Sequence, residues 1–291
     1  MCRTRDQVYP CNSIEIGLTQ KCVTSKAQLR DYAVFDTIHH WFKRRIINKS
    51  PVTPEEWRQA FAALPLLKGL SEDELQRLRE LAILLMHAKS FEGVQGLVLT
   101  RPMILHIALQ ACLPILNLGL TAYDGWVSVI VYPAAFIPRR TYTDEAGVVH
   151  QGHSVLAGEA WQRGPVILGW HDVESAGTID GHNVVIHEFA HKLDMLNGAA
   201  NGFPPLHSGM KVEEWVAAFT AAFKDFQQHC HKLSYHQIDC YAATSPPEFF
   251  AVFSEVFFER PELLKNYYPA VYEQLRRYYL QDPATRLPRD R

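Results

Sequence analysis

The stretch His187-Glu188-Phe189-Ala190-His191 brings two imidazoles and a carboxylate together in five residues. On an α-helix, positions four apart lie one above the other, so both histidines can face one cation. Neutral imidazole nitrogens suit zinc. Glu188, one position after the first histidine, is placed to take a proton from a water that the cation activates rather than to ligate. The chemistry implied is metal-assisted hydrolysis. The alternative is a buried helix with two hydrogen-bonded core histidines, which is costly unless every polar group finds a partner.

A catalytic zinc site needs three protein ligands and an open position. No third histidine follows at short spacing, since position 197 is asparagine. A carboxylate from a later helix is the alternative, and Glu248 is the candidate, in a run rich in phenylalanine from Phe249 to Phe258. A carboxylate among aromatics is costly to bury unless it is paired or metal-bound. Ser245 and Glu248 also have capping-box spacing, so Glu248 could instead close the helix start. Glu255, two turns on along the same face, is the alternative to Glu248 as ligand, and both it and Asp194, three positions after His191, are candidates for holding a ligand histidine from behind. Tyr241 is a candidate for a phenol that donates to a developing oxyanion, though most tyrosines only pack.

The helix that must carry the motif begins at the polar run Asp180-Gly181-His182-Asn183 and stops near Asn197-Gly198, with Val184, Val185, Phe189, Leu193 and Leu196 at helical spacing. Upstream, Thr53-Pro54-Glu55-Glu56 and Ser71-Glu72-Asp73-Glu74 open two further helices, and a third follows Arg101-Pro102. Trp126–Tyr132 and Pro165–Trp170 read as strands. The second lies just before the metal helix, where an exposed sheet edge could bind an extended peptide through its main chain. The segment 141–153 reads as a polar loop containing His150 and His153, each by itself more in keeping with a surface position than with a ligand. His229, Cys230, His231, His236 and Cys240 form a second group of metal-binding residue types. Their spacing fits no zinc finger, and a solvated helix end and loop is the plainer reading.

The fold class expected is α+β: a zincin-like domain with a small mixed sheet and the motif helix, preceded by helices. The divisions expected are a poorly ordered extension over 1–40, a helical subdomain over 41–120, a catalytic domain over 121–285 and a tail over 286–291. Trp41-Phe42-Lys43-Arg44-Arg45 is too short a basic and aromatic patch to read as a membrane anchor. With 291 residues, 47% hydrophobic and 21% charged, the chain can bury a sizeable core. A formal net charge of -2 gives no electrostatic reason to expect direct binding to nucleic acid or to an anionic membrane. Met103–Leu120, the most apolar stretch, is broken by polar residues, Pro114 and Gly119 and falls short of a bilayer span. The six cysteines, at 2, 11, 22, 112, 230 and 240, form no framework, and no signal-peptide pattern precedes them, so a cytoplasmic location is expected.

Taken together, His187–Asp194 with Asn197-Gly198, the segment Asp239–Ala243 and Glu248–Phe258 resemble the Mlc titration factor A family of bacterial zinc peptidases. The likeness extends to Gly147–His150 and Gly164–Leu168, and runs from about Trp57 to Pro283. What the resemblance implies is a gluzincin-type site similar to that of the anthrax lethal factor catalytic domain. It makes His187, His191 and Glu248 zinc ligands, Glu188 the general base and Tyr241 the transition-state donor. It also makes His150 a residue that reaches the metal and blocks the open position until a loop moves. The family implies an aminopeptidase-type activity on peptide substrates and binding of a glucose-responsive repressor of the Mlc type. Its members begin near Trp41, so residues 1–40 depart from the pattern.

Overall fold

The computed structural model describes residues 41–134, 140–143, 149–152, 158–160, 164–232 and 237–287, with only the course of the strands described for the three short runs between 140 and 160. The chain divides into two compact units, Met1–Arg45 and Ile46–Arg291. Helix α1 covers residues 41–48. In the first unit Trp41 and Phe42 meet edge to face and Arg45 lies over the Trp41 ring.

The second unit is mostly helical. Helix α2, Pro54–Ala62, opens on a capping box in which Thr53 accepts from the Glu56 N–H while the Glu56 carboxylate accepts from the Thr53 N–H. Helix α3, Glu72–Ala88, opens in the same way on Ser71 and Glu74. Strand β1, Ser90–Gly93, leads to helix α4, Arg101–Cys112, and then to β2, Ser128–Tyr132. Strands β3, Arg140–Thr143, and β4, Val149–Gly152, pair antiparallel as a separate ribbon. The polar loop expected over 141–153 therefore contains two paired antiparallel strands, whose pairing the residue types did not signal.

Strands β5, Gly158–Ala160, and β6, Val166–Gly169, complete a four-stranded sheet of order β1-β2-β6-β5. The first three strands run parallel and β5 is antiparallel to β6. In β2, Val129 and Val131 are buried and the residues between them less so, the alternation of a sheet covered unequally on its two faces. Helix α5, Trp170–Ser175, leaves β6 directly. Helix α6, Val184–Asp194, carries the two motif histidines. Helices α7, Val212–His229, α8, Pro246–Glu259, α9, Pro261–Tyr267, and α10, Pro269–Tyr279, follow.

Helix α8 is the axis of this unit. Phe249, Phe250, Phe253, Phe257 and Phe258 point to different sides of it and all are buried, while Glu248, Glu255 and Glu259 share the side turned to α6. Trp215, Phe219 and Phe226 of α7 pack on one side of α8, and Tyr272 and Tyr279 of α10 meet Phe257 on another. Phe189 of α6 meets Tyr123 and Trp126, which precede β2. Helices α2, α3 and α4 and the helices around the motif thus share one core. Among the described residues no helix is long and apolar enough to cross a membrane.

Candidate metal centre

The backbone fixes the motif helix before any side chain reaches a metal. Asn183 caps α6, its Oδ1 accepting from the Ile186 N–H at 2.9 Å. Its amide group donates to Gln110 Oε1 of α4 at 2.7 Å and to Glu259 Oε1 at the end of α8 at 2.8 Å. Glu259 also accepts from the backbone N–H groups of Gly177 and Gly181. Gly177 has φ +85, and a Cβ there would stand 2.8 Å from the side chains of both Leu64 and Leu66, so only glycine fits this approach. Burial raises the Glu259 carboxyl to about 7, against the bonds from Asn183 and Gly181 and aided by Asp180 and Glu255.

On this base, His187 and His191 face the start of α8. Glu248 Oε2 stands 3.0 Å from His187 Nε2 and 3.2 Å from His191 Nε2. Burial alone would raise the Glu248 carboxyl, but the hydrogen bonds and charge of the two histidines hold it well below the usual carboxylate range. Ser245 accepts from the Glu248 N–H at 3.4 Å, so its backbone closes the helix start while its carboxylate turns to the histidines. Of the capping box only the Ser245 half is present, and the Glu248 carboxylate is directed at the two histidines.

His187 Nδ1 bonds Glu255 Oε1 at 2.7 Å, and the other Glu255 oxygen accepts from the Asn183 N–H. Burial would lower His187, yet its bonds to Glu248 and Glu255 raise it well above the ordinary value. Asp194 does a different job from the one its spacing suggested. Fully buried, it accepts from the backbone N–H groups of Asn201, Gly202 and Phe203 at 2.7 to 2.8 Å and so folds the loop after the helix. His191 Nδ1 has no hydrogen-bond partner among the described residues.

Glu188 is 3% exposed and Lys192, one turn further, equally buried. Lys192 donates to the Gly164 carbonyl and lies against the Trp126 ring, as does Lys89. Burial lowers Lys192 to about 8 in spite of the nearby Glu188 charge. Tyr241, 44% exposed, sits in the 3-10 turn Cys240–Ala243 with its ring centroid 6.1 Å from that of His187. His150 lies on β4 opposite Tyr142; its side chain, and His153 and His236, lie outside the described residues.

The donor set fits a cation. The ligand atoms of His187, His191 and Glu248 all fall within 4.8 Å of one another. Nitrogen and oxygen ligands about 2.05 Å from a tetrahedral ion stand roughly 3.3 Å apart, close to the separations of Glu248 from both rings. Sequence reasoning missed Lys192 and the Gln110–Asn183–Glu259 network; a polar side chain at an N-cap facing two apolar helices was the only local signal. Residues 38–280 match the family described as glucose-regulated metallo-peptidase M90. The chain is 42% identical over 237 residues, 80% of its own length and 87% of the relative's, to Mlc titration factor A of Yersinia pestis (strain Pestoides F) and equally to that of Yersinia pseudotuberculosis serotype O:1b. A match over most of the chain, at a site whose donors fit a metal ion, makes the chain a member of the M90 metallo-peptidase family.

Proposed function

We propose that the chain is a zinc-dependent peptidase of aminopeptidase type with a zincin-like catalytic segment over 121–285, preceded by a helical segment over 41–120. The observation that carries this reading is the convergence of His187 Nε2, His191 Nε2 and Glu248 Oε2 beside the buried Glu188. His187, His191 and Glu248 would hold the zinc, which polarises a peptide carbonyl and acidifies a water when bound. Glu188 takes the proton of the attacking water and returns it to the leaving amine. Tyr241 donates to the oxyanion as charge develops. Glu255 keeps the His187 proton on Nδ1, so that Nε2 offers a lone pair to the metal. The edge strand β5 beside α6 gives an extended peptide a backbone to pair with. His150 blocks the open position at rest and a partner displaces it. The test is hydrolysis of short peptides with free and blocked N-termini, before and after chelation and with zinc restored. Zinc-dependent cleavage limited to free N-termini is expected; cleavage indifferent to the chelator overturns the reading.

A second reading rests on the family description and on the relatives' name, Mlc titration factor A. In it the chain captures a glucose-responsive repressor of the Mlc type and the metal site is ancillary. Metal-free protein then still retains the purified repressor in a pull-down, and loss of capture on chelation counts against it.

A further inference from the structure

A second set of ligands meets where α7 ends. Cys230 is the C-cap of α7, with its thiol buried. His231 follows it on the surface, and Cys240 opens the turn that carries Tyr241. Although their spacing in the chain matches no zinc finger, Cys230 Sγ, a His231 ring nitrogen and Cys240 Sγ lie within 4.8 Å of one another. Cys240 Sγ stands 3.6 Å from His231 Nδ1. In a tetrahedral zinc site, with Zn–S about 2.3 Å and Zn–N about 2.0 Å, sulfur and nitrogen ligands stand roughly 3.5 Å apart.

The chemistry differs from that of the first cluster. Two sulfurs and an imidazole form a soft donor set, whereas two imidazoles and a carboxylate form a harder one. A cysteine that serves only as a small apolar residue is buried away from ligands, as Cys112 is inside α4. Cys240 instead is partly exposed and adjoins both the other thiol and the imidazole. We propose that Cys230, His231 and Cys240 bind a second, thiophilic cation such as Zn2+, with water in the fourth position. The ion ties the end of α7 to the turn Cys240–Ala243 and so fixes the backbone that presents Tyr241. The proposal stands whether or not the first cluster supports peptidase activity.

The test is a Co2+ titration of the full chain, reduced and freed of metal. A thiolate-to-cobalt charge-transfer band is expected in the near ultraviolet, absent from Cys240→Ser. His231→Ala, a surface change that spares the fold, should weaken this binding by about tenfold or more, no less than loss of an outer-sphere partner does. Zn2+ should abolish the band and protect Cys230 and Cys240 from iodoacetamide, as mapped by mass spectrometry. The absence of a band, a band that survives Cys240→Ser, or equal alkylation of Cys240 with and without saturating Zn2+ overturns the proposal.

Discussion

Replacing Glu255 with glutamine perturbs the metal centre without touching a proposed ligand. One Glu255 oxygen accepts from His187 Nδ1–H at 2.7 Å and the other from the Asn183 N–H. A carboxylate accepts on both sides, but an amide has one accepting and one donating end. If the amide oxygen faces His187, the NH2 group meets the Asn183 N–H and two donors oppose each other in a buried site. If it is turned round, its NH2 group donates to Nδ1, the ring proton moves to Nε2 and that atom no longer has a lone pair for a metal. Loss of an outer-sphere partner of this kind costs about 10- to 100-fold in metal affinity, or roughly 1.4–2.8 kcal/mol. The unmatched donor adds about 1–3 kcal/mol of lost folding stability in the first arrangement. Zinc affinity by chelator competition, with urea unfolding of the metal-free protein alongside, measures both. Glu255→Gln protein that keeps both the affinity and the stability of the wild type would refute the role given to this carboxylate.

Other perturbations separate the remaining parts of the account. The folded Glu259 carboxyl keeps its proton up to about 7, whereas the unfolded one releases it near 4.5. Between those values the folded chain holds more protons, so this contribution is complete below 4.5 and is lost as pH rises through about 7. The shift is worth up to about 3 kcal/mol; urea midpoints on either side of the window should fall with rising pH in the wild type and less so in Glu259→Gln. Tyr241→Phe should lower kcat about 100-fold with KM little changed, as for the loss of one oxyanion donor; an unchanged kcat removes the phenol from the mechanism. His150→Ala should raise the peptide-cleavage rate at equal zinc content, and a lower rate contradicts self-blocking.

The local parts of this architecture were readable in the chain. Thr53 with Glu56 and Ser71 with Glu74 mark helix starts because each cap needs only residues three apart, and both form. His187 and His191 share a face for the same reason. Glu248 stood out as a carboxylate in an aromatic helix, but its two readings were separable only by the direction of its side chain, which the packing of α8 against α6 decides. Strand β1 carries a glutamate and a glycine, and is a strand because its backbone pairs with β2. The β3–β4 ribbon likewise depends on pairing between its two strands. Asp194 sits three residues after a ligand candidate, yet its partners are the three amides of a loop that folds back on it, a closure that no periodicity encodes. Cys230 and Cys240 group by their nearness in the chain, but their spacing fits no zinc finger, and they meet because α7 ends beside the turn that precedes α8.

The central claim is that Glu188 is the base of a metal-dependent hydrolysis at this cluster. It is tested most directly by the peptide-cleavage rate of Glu188→Gln relative to wild type, at the same zinc content by elemental analysis. Losing a general base costs about 10²- to 10⁴-fold, so the account predicts a fall of at least about 100-fold with metal retained. A zinc-loaded Glu188→Gln protein that cleaves as fast as the wild type would contradict it.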